Sequence, residues 1–384
     1  MKFFHLSDLH IGKQLHHYNL CGEQRRILSQ IVELAEQERP DAVVIAGDIY
    51  DVSVPSAEAV SVFDHFLTEL CAIEPQIPVL FIAGNHDSAK RIDFARDILA
   101  RSRLYIAGMP PVTEEEHIKK VTLSDEFGEV DFYLLPFVKP GYVRAVFEEE
   151  ITSYDMAVRK LMEREEIDRS KRNVIVSHQF YTASGKEPEI TDSETHLVGG
   201  IENVDIAALD MFEYAALGHI HRAQKVGRET ARYSGTPLPY SVSEADDNKC
   251  ITVVKLKEKG SEPQITKLPL EPVHHVRKLV GTLEEVLQKT EWSEDYVSIT
   301  LTDEIEAFRP KERLEEVFSR ILEIRIDNSR TRKLLDIQTE EVEAENPFEA
   351  FEHFFSEMNG RGMSEEECAL MTDVFEQVMG GGTE

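Results

Sequence analysis

Five short strings bring carboxylates, one amide and histidines together along the chain: Asp8-Leu9-His10, Gly47-Asp48-Ile49-Tyr50-Asp51, Gly84-Asn85-His86-Asp87, Ser177-His178-Gln179 and Gly218-His219-Ile220-His221. Carboxylate oxygen and imidazole nitrogen suit Mn, Fe and Zn, and the absence of a thiolate from the set argues against a structural zinc cluster. Asp8 and His10, two residues apart, are expected on one side of an extended strand end, where both can grip one cation. Asp48 has two oxygens and can bridge a cation pair, whose members lie ~3.5–4 Å apart in phosphoryl-transfer sites. Asn85 offers a neutral amide oxygen, His219 and His221 repeat the i, i+2 relation, and His178 comes from another strand end. The count is seven ligands: Asp8, Asp48, Asn85, His10, His178, His219 and His221. His86 follows a ligand and is expected to point elsewhere, free to touch a scissile phosphate or protonate a leaving alkoxide. Two cations so held suit phosphoester hydrolysis, because they activate water and neutralise charge on phosphorus. Any one string is weak evidence, and the joint set carries the reading. The other nine histidines have the ordinary structural reading: His16, His17, His65, His117, His196, His274, His275 and His353 lack partner spacing, and His5 lies inside a strand and is expected to be buried.

Such a set needs strands to position it. The pattern predicts strands over Lys2–Ser7, Asp41–Ala46, Val79–Ala83, Asn173–Ser177 and Tyr214–Leu217, each ending just before a motif, with helices over Leu20–Gln37, Ser56–Cys71, Arg91–Ala100 and Tyr154–Glu165. Motifs then sit on strand-exit loops, where α/β sheets bind ligands. Cys250–Lys257 and Gln264–Leu268 read as closing strands, which ends a first domain at 1–271. A small α+β unit follows over 272–335, with strands His275–Val280, Tyr296–Thr302 and Leu322–Asp327 and helices Leu283–Gln288 and Lys311–Ile321. The remainder, 336–384, reads as a linker and a helix pair, with Phe348, Phe351, Phe354 and Phe355 on one helix, Leu370, Val374, Phe375 and Val378 on the other, and a capping box from Ser364 to Glu367. Two helices have too little core of their own and must pack on something.

Composition bounds the function. The 384 residues, 41% hydrophobic, are enough for one large core and a smaller appended domain. No signal segment precedes the first strand and no apolar run approaches the length of a membrane span, so a cytoplasmic protein is expected, without membrane contact. Cys21, Cys71, Cys250 and Cys368 are far apart and read as inert packing residues. A formal charge of −30 opposes a large electrostatic footprint for nucleic acid. Bound cations soften that inference, as does the distribution of acid: residues 331–384 carry 14 Asp or Glu against 3 Lys or Arg.

The motif series resembles the calcineurin-like metallophosphoesterase superfamily, and within it the bacterial nuclease subunits related to the meiotic-recombination repair nucleases. The likeness spans nearly the whole chain and includes Gly84-Asn85-His86-Asp87-Ser88, Ala216-Leu217-Gly218-His219-Ile220-His221-Arg222-Ala223-Gln224 and Tyr233-Ser234-Gly235-Thr236-Pro237, where that family commonly has Gly-Ser-Pro. The resemblance implies a two-sheet α/β sandwich with a small α+β capping domain and a C-terminal helix pair. It implies one metal on Asp8, His10, Asp48 and His221 and another on Asp48, Asn85, His178 and His219, with His86 catalytic and Mn preferred, Mg being the other candidate. It further implies DNA as substrate, a homodimer, and a partner ATPase of the ABC type bearing a long coiled coil, on which the phenylalanine-rich helix pair would dock; packing of that pair on its own cap is the other reading. Asp51 stands where archaeal and eukaryotic relatives often carry histidine, so no substrate role is carried over to it.

The resemblance makes the expected activity exonucleolytic and endonucleolytic cleavage of DNA, including hairpin opening and the processing of double-strand ends in repair and recombination. A phosphatase of the same superfamily would show Gly-Asp-x-x-Asp-Arg-Gly and Gly-Asn-His-Glu. Here Val52-Ser53 follow Asp51, and Asp87 stands in place of the glutamate. A small-substrate phosphodiesterase would have no need of the last 110 or so residues. A non-catalytic scaffold for the ATPase is disfavoured by the intact ligand set.

Overall fold

The computed structural model of the chain describes residues 1–148, 150–194, 200–305 and 309–331, with scattered positions between 348 and 372. In chain order the principal strands are β1 (Lys2–Leu6), β2 (Ala42–Ala46), β3 (Val79–Ile82), β4 (Leu104–Ala107), β5 (Lys119–Asp125) and β6 (Gly128–Leu135). They continue with β7 (Arg172–His178), β8 (Tyr214–Gly218), β9 (Gln224–Val226), β10 (Arg228–Tyr233), β11 (Cys250–Lys255) and β12 (Gln264–Pro269). One six-stranded sheet has the order β12-β11-β1-β2-β3-β4 and the other β9-β10-β8-β7-β6-β5. The strands that carry motifs run parallel within their sheets, β1 with β2 and β2 with β3, and β7 with β8.

Side-chain alternation explains the layering. In β2, Val43 and Ile45 face helices α1 (Cys21–Glu38) and α2 (Ala57–Ala72), whereas Ala42, Val44 and Ala46 face the second sheet. Phe3, Leu80, Phe132, Val174, Val176 and Tyr214 fill the space between the sheets. Helix α3 (Tyr154–Arg164) covers the far side of the second sheet with Ala157, Val158, Leu161 and Met162. The result is the expected two-sheet sandwich flanked by helices. Helix α2 starts where Ser56 accepts a hydrogen bond from the Ala59 amide at 3.1 Å. His5 is buried, as its place in the first strand implied, and crosses between the sheets: Nδ1 lies 3.0 Å from the Tyr214 hydroxyl and Nε2 3.2 Å from the Leu217 carbonyl.

Several segments differ from the sequence reading. The helix expected over Arg91–Ala100 is two single turns, Ala89–Ile92 and Arg96–Leu99, because Ala95 adopts φ 58°, which a right-handed helix cannot continue. The helix expected over Lys311–Ile321 covers only Pro310–Glu315. There the Ser319 amide donates to the Ser293 carbonyl at 2.9 Å and draws Arg320 and Ile321 into a strand. Strands β4 to β6, β9 and β10 lie where none was expected. In β6 the alternation is lost, since Val130 to Leu135 are buried on both faces.

Beyond β12 come β13 (Val276–Gly281), β14 (Tyr296–Leu301) and β15 (Arg320–Ile326), a three-stranded sheet in that order. By contacts the chain forms two compact units, one of Met1–Leu279, Lys289–Ile299 and Lys311–Glu323, the other of Val280–Gln288, Thr300–Pro310 and Ile324–Glu384. Most of the expected C-terminal helix pair lies outside the described residues, as do His196 and His353. The Ser364–Glu367 capping box is formed: the Ser364 amide donates to the Glu367 carboxylate at 2.8 Å, and Ser364 Oγ accepts from the Glu367 amide at 3.3 Å.

Candidate metal centre

Backbone pairing between the strand exits positions the first ligands. Past β1 and β2 the two loops stay hydrogen-bonded, Asp8 N to Gly47 O at 3.0 Å, His10 N to Asp48 O at 3.0 Å and Ile11 N to Ile49 O at 2.9 Å. Asp8, His10 and Asp48 all have left-handed backbone (φ 53°, 42° and 48°), as does His219 (φ 105°). The extended Asp-x-His geometry expected from the sequence is therefore not what brings Asp8 and His10 together; a kinked loop does, and strained backbone of this kind gathers at functional sites. The loop after β3 must come equally close. A Cβ on Gly84 would lie 2.1 Å from Asp48 Oδ1, so only glycine fits there. Asp87 ties the loops together by accepting from the Ile49, Tyr50 and Gly84 amides at 3.0, 2.9 and 2.9 Å.

All seven expected ligand side chains converge. Asp8, His10 and His221 present donor atoms to one point, with His10 Nε2 3.1 Å from His221 Nε2. Asp48 Oδ2 lies 3.6 Å from His10 Nε2 and 3.3 Å from His178 Nε2, between the two halves of the set. Asn85 Oδ1 lies 3.0 Å from His178 Nε2 and 2.9 Å from His219 Nδ1. His219 and His221 point into different halves, His221 towards His10 and His219 towards Asn85. His86 lies beside the seven: its Nδ1 is 2.8 Å from the Asp51 carbonyl, its ring is edge-on to His10 with centroids 4.8 Å apart, and with His10 and Asp51 it forms a further group of possible donors. Asp8, His10, Asp48, His178 and His221 are buried, whereas Asn85, His86 and His219 are half-buried.

Charge is distributed as a cation site requires. Burial opposes ionisation of Asp48, yet His178, His10 and His86 hold its carboxyl well below the usual range. The same burial opposes a charge on His178, but Asp48 and Asp8 hold it up to about 9. Burial, with Asp48 beside it, pushes Asp8 up to about 8. Burial holds His219 down to about 3 and lowers His10 and His221 as well, so these rings are neutral with lone pairs to give. The Asp8 and Asp48 carboxylates lie within 4.8 Å of each other and the His10 and His221 imidazole nitrogens face one another at 3.1 Å, an arrangement that divalent cations between them would relieve. The donors are oxygen and imidazole nitrogen throughout, which fits hard or borderline divalent metals.

Several supporting residues lay outside the motifs. Gln24 donates to the His10 carbonyl at 2.7 Å and Tyr240 donates to the Leu9 carbonyl, holding the first loop from beneath. Ser193, Glu194, Glu244 and Lys249 surround His221. None carries a spacing signal, because each meets the ring only through the fold. Asp51, left without a role by the sequence, pairs with Lys13 at 2.9 Å and places a carboxylate oxygen 3.4 Å from His10 Nδ1.

Residues 1–223 match the family model described as calcineurin-like phosphoesterase, and residues 269–359 match that described as Type 5 capsule protein repressor C-terminal domain. The chain is 30% identical over 375 residues to the SbcD subunit of the nuclease SbcCD of Staphylococcus epidermidis, covering 95% of each chain. It is 28% identical over 329 residues to the SbcD subunit of the same nuclease of Staphylococcus saprophyticus, covering 84% of each. Among solved structures, a dimetal phosphatase from Danio rerio is similar at a TM-score of 0.37 and 14% identity, covering 70% of this chain and 98% of that one. With its phosphoesterase domain, its second matched domain and a relative alike over 95% of its length, the chain belongs to the calcineurin-like phosphoesterases and, within them, to the SbcD nuclease subunits.

Proposed function

We propose that the chain is the nuclease subunit of an SbcC-SbcD-type complex and hydrolyses DNA phosphodiesters, acting as exonuclease and endonuclease on hairpins and double-strand ends in repair and recombination. The observation that carries this reading is the convergence of seven oxygen and imidazole donors in a chain alike over 95% of its length to a curated nuclease subunit. In this reading Asp8, His10, Asp48 and His221 hold one divalent cation and Asp48, Asn85, His178 and His219 the other. Mn is the metal put forward, with Mg as the second candidate. Bound there, the cations supply Lewis acidity and neutralise charge on the phosphoryl oxygens.

The protein's own groups do the rest. His178 Nδ1 donates to the Ala46 carbonyl at 2.7 Å, which turns Nε2 to the cluster. His86 Nδ1 donates to the Asp51 carbonyl, leaving Nε2 as the atom that meets a phosphate and delivers a proton to the leaving alkoxide. The phosphatase reading lacks its arginine, since Val52 and Ser53 follow Asp51.

The finer assignments belong to the same proposal: a nuclease domain over 1–271, a capping domain over 272–335, and 336–384 docking a coiled-coil ABC ATPase in the cytoplasm. Homodimerisation is part of the same proposal. Among the described residues no helix is long and apolar enough to cross a membrane. Deleting 346–384 tests the docking assignment: co-purification with the ATPase should be lost while metal-dependent cleavage of simple substrates remains, and retained co-purification overturns it.

A further inference from the structure

We infer that Ser193 is a positioning residue for the metal-facing nitrogen of His221, acting as the middle of a buried relay that runs from Lys249 through Glu244. The inference rests on the reading of His221 as a ligand and extends it to residues that lie in none of the motifs. Glu244 is fully buried, and one of its oxygens meets Lys249 Nζ at 2.6 Å and Thr236 Oγ1 at 3.1 Å. The other accepts from Ser193 Oγ at 2.6 Å and from Ser241 Oγ at 3.0 Å. An ionised carboxylate only accepts, so the single proton of Ser193 goes to Glu244, the nearer of its two oxygen neighbours, and Thr191 Oγ1, 2.9 Å away, donates to Ser193 in turn. Ser193 Oγ then has only lone pairs for His221 Nδ1, which lies 2.6 Å away, and that nitrogen must carry the ring proton. A neutral ring protonated at Nδ1 has its lone pair on Nε2, the atom 3.1 Å from His10 Nε2.

The segment that brings Ser193 in is itself anchored. Asp192 N donates to Ser243 Oγ at 3.0 Å, and the neighbouring Glu194 carboxylate accepts the backbone amide of His221. One short stretch, Thr191–Glu194, thus fixes the backbone, the rotation and the tautomer of His221. Partners of this kind beyond the ligands themselves change metal affinity by ~10–100-fold when removed.

The test uses the full chain, stripped of metal and titrated with Mn2+ alone, with bound ion counted by electron paramagnetic resonance and ring tautomers read from 15N-labelled histidine. Ser193→Ala should weaken one of two Mn2+ sites at least tenfold, leave the other unchanged, and convert the His221 signal from the Nδ1-protonated form to a mixture. Ser193→Thr keeps the hydroxyl and should restore both readouts. In Ser193→Ala, Glu244 keeps Lys249, Thr236 and Ser241, so the thermal midpoint should stay close to the original. Wild-type affinity and tautomer in Ser193→Ala, when His221→Ala loses one ion, would overturn the relay alone. Two undiminished sites in His221→Ala would instead overturn the ligand reading on which it rests.

Discussion

At Gly218 the two sheets approach each other closely beside the site, and the structure fixes what one methyl group would do there. A Cβ built on Gly218 lies 1.9 Å from the Ala46 carbonyl oxygen and 2.8 Å from His178 Nδ1. Carbon–oxygen contacts tolerate approach to ~3.3 Å, so the strands would have to part by roughly 1.4 Å. Both sides of the clash are backbone in central strands, β8 and β2, and neither can rotate away. Overpacking typically costs ~1–3 kcal/mol, and a backbone clash on both sides belongs at the upper end, about 3 kcal/mol. At about 2 °C per kcal/mol for a chain of this size, Gly218→Ala should lower the melting midpoint by about 6 °C. The same carbonyl accepts from His178 Nδ1 at 2.7 Å, so the variant should also bind Mn2+ more weakly. Gly22, in the first turn of α1 with nothing within 4 Å of a built Cβ, is the control: Gly22→Ala should raise stability by about 0.4–1 kcal/mol. Circular dichroism melts and Mn2+ titration of both variants decide the matter. A Gly218→Ala protein that melts and binds as the parent would refute the close apposition of the sheets.

His86→Ala should retain Mn2+ binding while losing DNA cleavage by at least 100-fold, as general-acid groups contribute ~10²–10⁴-fold; cleavage at the parent rate removes His86 from the mechanism. Burial holds His5 down to about 3, so the fold keeps it neutral while the unfolded chain takes up a proton below about pH 6.5. Its stability contribution is therefore present above pH 6.5 and is lost toward pH 3 at about 1.4 kcal/mol per pH unit. His5→Gln should flatten the fall in stability between pH 6.5 and 4.5, and an unchanged slope refutes the assignment. Because His178 is held up to about 9 and Asp8 up to about 8 without metal, loading Mn2+ at pH 7 should release about one proton or more. Calorimetry in two buffers of different ionisation enthalpy measures it, and zero release contradicts the charge distribution described above.

The convergence of the candidate donors was legible in the sequence because they follow short apolar runs that read as buried strands, as with Val79–Ile82 before Asn85. The bends that aim the donors were not. Asp8, His10 and Asp48 take positive φ without being glycine, a choice imposed by hydrogen bonds between loops that no local pattern encodes. The broken turn at Ala95 is tertiary in the same way: Asp93 turns its carboxylate to the Gly108 amide at 2.7 Å, away from any helical role. Ser193, Glu244 and Lys249 stand far from the motifs in sequence, so only folding puts them around His221. Sequence spacing finds residues that share a strand exit, and it misses those that meet through space.

As proposed, this cluster cuts DNA phosphodiesters with divalent cations held by Asp8, His10, Asp48, Asn85, His178, His219 and His221. The most direct measurement is cleavage of linear and hairpin DNA by the purified chain with Mn2+ or Mg2+, with and without its ATPase partner and ATP, beside an Asp48→Asn variant. The expected result is metal-dependent cutting that Asp48→Asn abolishes together with metal binding. Hydrolysis of small phosphoesters with no cutting of either DNA under any of these conditions, or full DNA cutting by Asp48→Asn, would contradict it.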